Sequence, residues 1–160
     1  MGRRRVVQDA RRNREFEAFV AGAAGRLLHA ATLLTAEPPD RNPRARRLLT
    51  LSLAHTYACW DGLRGEDPYD RARGQLATRF ARSTWRRHHP HPGSPLARLS
   101  SQERLILVLR LYEGVAEEQA AALLGLPPER VQTICDRATA RLLHPRGTTQ
   151  AVPVAKAVSP

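Results

Sequence analysis

The stretch EEQAAALLGLPPERVQTICDRATARL, inside residues 99–143, narrows the possible folds more than any other part of the chain. In 117–124 the small and apolar positions are Ala120, Ala121, Leu123 and Leu124, which predicts a short helix. Gly125 follows and supplies a left-handed turn that a β-carbon would oppose. Leu126 plugs the turn, and Pro128 suits the first turn of a second helix, where its missing N–H costs nothing. Val131, Ile134, Cys135, Ala138 and Leu142 then recur at helical spacing and face inward. A helix held this way against a glycine turn is the second helix of a helix-turn-helix, the one that usually lies in the DNA major groove. By period alone, a plain helical hairpin fits the same residues.

The rest of the chain also reads as helices and breaks. Residues 1–13 are a basic, flexible tail. Residues 14–35 form a helix with Phe16, Phe19, Val20, Ala23, Leu27, Ala30, Ala31 and Leu34 on its buried side, and AEPPDRNP breaks it. Residues 44–63 form a second helix whose inner face is Leu48, Leu49, Leu51 or Ser52, Ala54 or His55, Ala58 and Cys59. After a loop at 64–68, residues 69–87 form a third, with Leu76, Phe80 and Ser83 inward and a row of arginines mostly outward. HHPHPGSP cannot sustain a helix and marks a linker over 88–98. Residues 144–160 have no helical period and read as a disordered tail. The expected fold class is all-α, with a three-helix lobe over 14–87 joined by the Pro/His-rich linker to a helix-turn-helix lobe over 99–143.

Charge separates the two lobes. The chain of 160 residues has a formal net charge of +11, and 25 of its 26 basic side chains are arginine. Residues 1–93 carry 18 basic and 9 acidic side chains, whereas 99–143 carry five arginines against six acids. A basic balance favours a polyanionic partner, usually nucleic acid, and here it sits mainly in the first lobe. With no run of 18 apolar residues, a membrane span is not expected, and the charged N-terminus lacks the apolar core of a secretory signal. Cys59 and Cys135 are distant from one another and read as buried free thiols, which fits a reducing, cytoplasmic setting.

The order of parts resembles the small two-domain RNA polymerase sigma factors of the extracytoplasmic-function group. The resemblance covers about residues 14–143 and is carried by FEAFV, LLHAATLLT, AHTYACWDGLRGEDP, LATRFARSTWRR and, above all, by LSSQERLILVLRLYEG together with the helix-turn-helix segment. It implies a sigma factor-type initiation protein with core RNA polymerase and promoter DNA as partners. The first lobe would correspond to region 2, which binds the polymerase clamp and melts the −10 element. The second would correspond to region 4, which reads the −35 element. At −35 the resemblance implies Arg130, Gln132, Thr133, Arg137 and Arg141. At −10 it implies Tyr57, Trp60, Arg64, Arg79, Arg82 and Arg86, since strand opening needs rings to stack on unpaired bases and cations to hold the backbone. For Trp60 and Trp85 a core role competes with that reading. Polymerase binding falls on Arg46, Arg47, Leu48 and Leu49. Arg46 and Arg47 stand where the family usually has an acidic Glu-Asp pair, Gln132 stands at a frequent lysine, and Pro127 replaces the usual Ser or Thr cap. These departures motivate the alternative of a divergent sigma-like regulator that binds another sigma, an anti-sigma or a half-sigma protein without initiating alone.

Other constellations are weak. His88, His89 and His91 lack a second ligand set and read as hinge, so no metal or cofactor is expected. Asp67, Asp70, Glu117 and Glu118 fit helix starts, and Ser83 and Ser101 have no activating base nearby in sequence. An enzyme is not expected.

Overall fold

In the computed structural model, which describes residues 2–82 and 89–144, the apolar periods become six α-helices with no strand among the described residues. Ser83, Trp85, Arg86 and His88 therefore lie outside the described residues. The first helix, α1 (Gly2–Thr35), buries Ala23, Leu27, Ala30, Ala31 and Leu34. It begins earlier than the periodicity predicts: the segment read as a flexible tail is its first third. That segment has no apolar face to announce it, and Val6 and Val7 are exposed. It is supported instead by an Arg11–Glu15 pair one turn apart and by Arg12 reaching Asp61 at 3.2 Å. Length and composition alone would let α1 cross a bilayer, but its large apolar side chains Leu27 and Leu34 lie in the protein core.

The chain leaves α1 through Ala36, buried with φ of 51°, and enters α2 (Pro43–Ala58) through a loop organised by Glu37. The buried Glu37 carboxylate accepts from Thr35 Oγ1 at 2.9 Å, from the N–H groups of Arg44 and Ala45 at 3.2 and 2.8 Å, and from Arg44 Nε at 3.0 Å. Asn42 makes no side-chain cap, so Glu37 satisfies the first-turn donors of α2 from outside the helix. The inner stripe of α2 is Ala45, Leu48, Leu49, Ser52 and Thr56. Ser52 and Thr56 can sit at this crowded crossing because their hydroxyls bond back to Leu48 O and Ser52 O, both at 2.9 Å. Of the paired alternatives Ser52 is therefore inside and Leu51 outside, while Ala54 and Ala58 are not in the buried stripe.

A 3-10 turn (Trp60–Gly62) leads to α3 (Pro68–Arg82), capped by Asp67, whose carboxylate accepts from Tyr69 N at 2.8 Å. Ala72, Leu76, Ala77 and Phe80 face inward. The second half comprises α4 (Ser101–Leu107), a π-helical turn (Val108–Tyr112), α5 (Glu117–Leu124) and α6 (Pro128–Leu143).

The two halves share one apolar core, and polar ties cross between them. The buried Arg104 of α4 donates to Leu34 O at the C-terminal end of α1 at 2.9 Å and to Leu99 O at 2.7 Å. A cation is well placed on those end carbonyls. Beyond the π-turn, Glu113 has a fully buried side chain that accepts from the Tyr69 hydroxyl at 3.0 Å on each oxygen. Arg26 approaches it at 3.6 Å and Arg73 at 4.0 Å. The Arg26 guanidinium also lies over the Tyr69 and Tyr112 rings, and His29 stacks on Tyr112 with centroids 5.1 Å apart. Burial, then the Glu113 hydrogen bond, pushes the Tyr69 phenol well above its ordinary range, so it remains a donor.

Candidate nucleic-acid and polymerase interface

The α5–α6 unit forms as its residues dictate. Ala120 and Ala121 are buried, Gly125 takes φ of 66° and ψ of 36°, and Leu126 N closes the turn on Ala121 O at 3.0 Å. Val131, Ile134, Cys135 and Ala138 face the core, and burial pushes the Cys135 thiol up. Pro127 precedes α6 without a side-chain cap. Opposite the core, α6 exposes Arg130, Gln132, Thr133, Asp136, Arg137 and Arg141 on one polar side.

Those exposed groups are not equally free. Gln132 donates to Asp136 at 2.8 Å, and the Thr133 hydroxyl donates to Glu129 O at 2.8 Å. Arg137 and Arg141 both turn toward α4, pairing with Glu103 at 3.2 and 3.0 Å. Among the described residues, Arg130 is the cation of α6 with no ion pair. Glu103 is the residue that sequence reasoning missed. Its side chain is 2% exposed, and it also completes a capping box with Ser100. The spacing Ser100-x-x-Glu103 before an apolar run is the signal that could have found it. Arg137 and Arg141 remain about half exposed, and guanidinium forks have further N–H groups to offer a phosphate.

The rings expected at −10 form a cluster with α1. Phe16 lies 4.9 Å from Tyr57 and 5.2 Å from Trp60, and Phe19 lies 5.5 Å from Trp60, centroid to centroid. Arg12 covers Tyr57 at 5.0 Å. Tyr57 and Trp60 are half-buried, so they pack in the molecule and keep one side toward solvent. Arg64 is exposed in a left-handed turn with φ of 44°. Arg79 and Arg82 are not beside these rings: they lie at the far end of α3, ~20 Å along its axis from Pro68. There they border Leu48, Leu51 and His55 of α2.

On α2, Arg46 and Arg47 are exposed, and Arg46 Nε donates to Asn42 at 3.1 Å. Leu48 and Leu49 are core residues at 0% and 8% exposure, and the large apolar side chain that α2 exposes is Leu51, at 38%.

Residues 96–144, which hold α4 to α6, match the family model for Sigma-70, region 4. The chain is 28% identical over 152 residues to an RNA polymerase sigma-E factor of Streptomyces avermitilis, covering 80% of this chain and 83% of that protein. An RNA polymerase sigma-E factor of Streptomyces coelicolor is likewise 28% identical, with 80% and 84% covered. No solved structure matches the chain. The helix-turn-helix segment is thus similar to Sigma-70, region 4, and the chain that carries it is similar over most of its length to RNA polymerase sigma-E factors.

Proposed function

We propose that the chain is a transcription-initiation factor that binds core RNA polymerase in the cytoplasm and directs it to promoters, acting as a regulator and not as an enzyme. The observation that carries this reading is the helix-turn-helix within 96–144, whose second helix exposes Arg130, Gln132, Thr133, Arg137 and Arg141 away from the core. In that role the first two turns of α6 enter the major groove, where Arg130, Gln132 and Thr133 face base edges or phosphate, and Arg137 and Arg141 add phosphate contacts. Tyr57 and Trp60 turn their solvent side to unpaired bases at −10, next to Arg64.

The two halves act as separate modules, 14–87 and 99–143, when bound to a promoter. The −10 and −35 elements lie about 25 base pairs apart, on the order of 85 Å at ~3.4 Å per base pair. Helices that share a core cannot span that distance, so α4–α6 leave α1–α3 on polymerase. The packed arrangement is the state of the free protein.

Gel filtration of the chain with core RNA polymerase from a GC-rich bacterium, at near-physiological salt, tests the reading. Co-elution is expected, and it means that the charge reversal at Arg46 and Arg47 on the α2 surface is tolerated. Separate elution would overturn it.

A further inference from the structure

Where the two halves meet, the helices leave a cavity of about 440 Å³. That lies within the ~300–1,000 Å³ of small-molecule sites. Phe80 and Arg82 of α3, Gln102 and Leu105 of α4, Leu123 of α5 and Leu126 in the turn after it line the space. Beside it α3 and α5 approach closely: Leu123 Cδ1 lies 3.9 Å from where a β-carbon on Gly74 would stand. Phe80 and Leu105 are buried and Arg82 is exposed, so the cavity runs from a cationic mouth to an apolar floor. Arg82 has no ion pair among the described residues, and no acid among them lines the cavity.

We propose that this cavity binds an amphiphilic monocarboxylate of the medium-chain fatty-acid class. The chain of such a ligand covers Phe80, Leu105, Leu123 and Leu126, which a free or backbone phosphate would leave unused. Its carboxylate meets the Arg82 guanidinium at the mouth, where water still reaches both charges and the cost of burying them is avoided. The Gln102 amide adds a polar group on the α4 side. A helix, ~10 Å across with its side chains, is too wide to enter without moving a wall. Because the walls come from both halves, the site exists only while they are packed. A bound ligand therefore favours the packed form and opposes the separation that promoter binding requires. This last consequence rests on the promoter reading; binding itself does not.

The test is titration of the full chain with decanoate, without DNA or polymerase, followed by methyl NMR. Saturable binding at one site is expected, with the largest shifts at Leu105, Leu123 and Leu126. Decanol should bind about tenfold or more weakly. Arg82→Glu should lose decanoate by a similar factor and gain decyltrimethylammonium. Ala122→Trp places a ring in the cavity and should weaken both ligands. Residues 82 and 122 are exposed, so thermal unfolding no earlier than that of the parent separates lost binding from lost fold. At decanoate ten times its Kd, amide exchange in α4 should slow by up to about tenfold. No saturation below the micelle concentration, shifts centred away from these leucines, equal binding of decanol, or indifference to Arg82→Glu would overturn the site. Saturable binding with unchanged exchange in α4 would overturn the hold of the ligand on the two halves. If binding and slowed exchange both hold while the chain supports no transcription, the promoter reading fails and the site stands.

Discussion

Glu103 uses both carboxylate oxygens: it caps α4 through Ser100 N at 2.9 Å, and it fixes the direction of Arg137 and Arg141 on α6. Burial alone would push this carboxyl up. The Ser100 N–H and the charges of Arg141 and Arg137 outweigh that and hold it below its ordinary value. A value lower in the folded state than in the unfolded one means stability that is present above the ordinary carboxylate range and is lost as pH falls below about 4.5. Glu103→Gln should therefore lose about 1–2 kcal/mol at neutral pH, because the half-exposed arginines are screened and the cap is halved. Urea unfolding as a function of pH should also give a flatter acid limb for the variant. At Gln132 the expected change is in DNA affinity. Gln132→Lys adds one phosphate contact on α6, so filter binding to a duplex should tighten and the log–log salt slope should steepen by about 1. An unchanged slope would mean that this side of α6 does not face DNA.

At the scale of elements, the α5–α6 turn is a backbone requirement. Gly125 at φ of 66° has open space where a β-carbon would stand, so the cost of Gly125→Ala is conformational. It should be about 1–2 kcal/mol in thermal unfolding, with DNA binding falling as α6 loses its fixed angle. This turn was legible because glycine, proline and apolar spacing carry the instruction locally. The stripe of α2 was only half legible. Ser52 and Thr56 are buried with hydroxyls satisfied by their own helix, an arrangement that hydropathy cannot distinguish from an exposed position. The start of α1 and the cap supplied by Glu37 were not legible, because each depends on partners brought together only by folding. The same holds for the functional surface. The row of exposed residues on α6 follows from its period, but the commitment of two of its arginines to Glu103 does not. Nor does the separation of Arg79 and Arg82 from Trp60 follow from the sequence, since it is set by the direction of α3 in the hairpin.

For the whole molecule, the tie between the halves runs through few polar groups. Tyr69→Phe removes the donor that serves both oxygens of the buried Glu113, leaving it Arg26 at 3.6 Å and Arg73 at 4.0 Å. Loss of a hydrogen bond to a buried charge is worth about 1–3 kcal/mol. Amide exchange in the π-turn and α4 should therefore speed up about tenfold or more, while the buried amides of α2 change little. Equal protection in variant and parent would show that the halves are held by the shared core alone.

Initiation of transcription at promoters that carry both elements is the central claim for this chain. Run-off transcription on genomic fragments, with core polymerase and the purified chain, tests it most directly. Discrete start sites that require the chain are expected, and they should disappear when Arg130 and Thr133 on α6 are both replaced by alanine. Transcription no different from that of core polymerase alone on every fragment would contradict it.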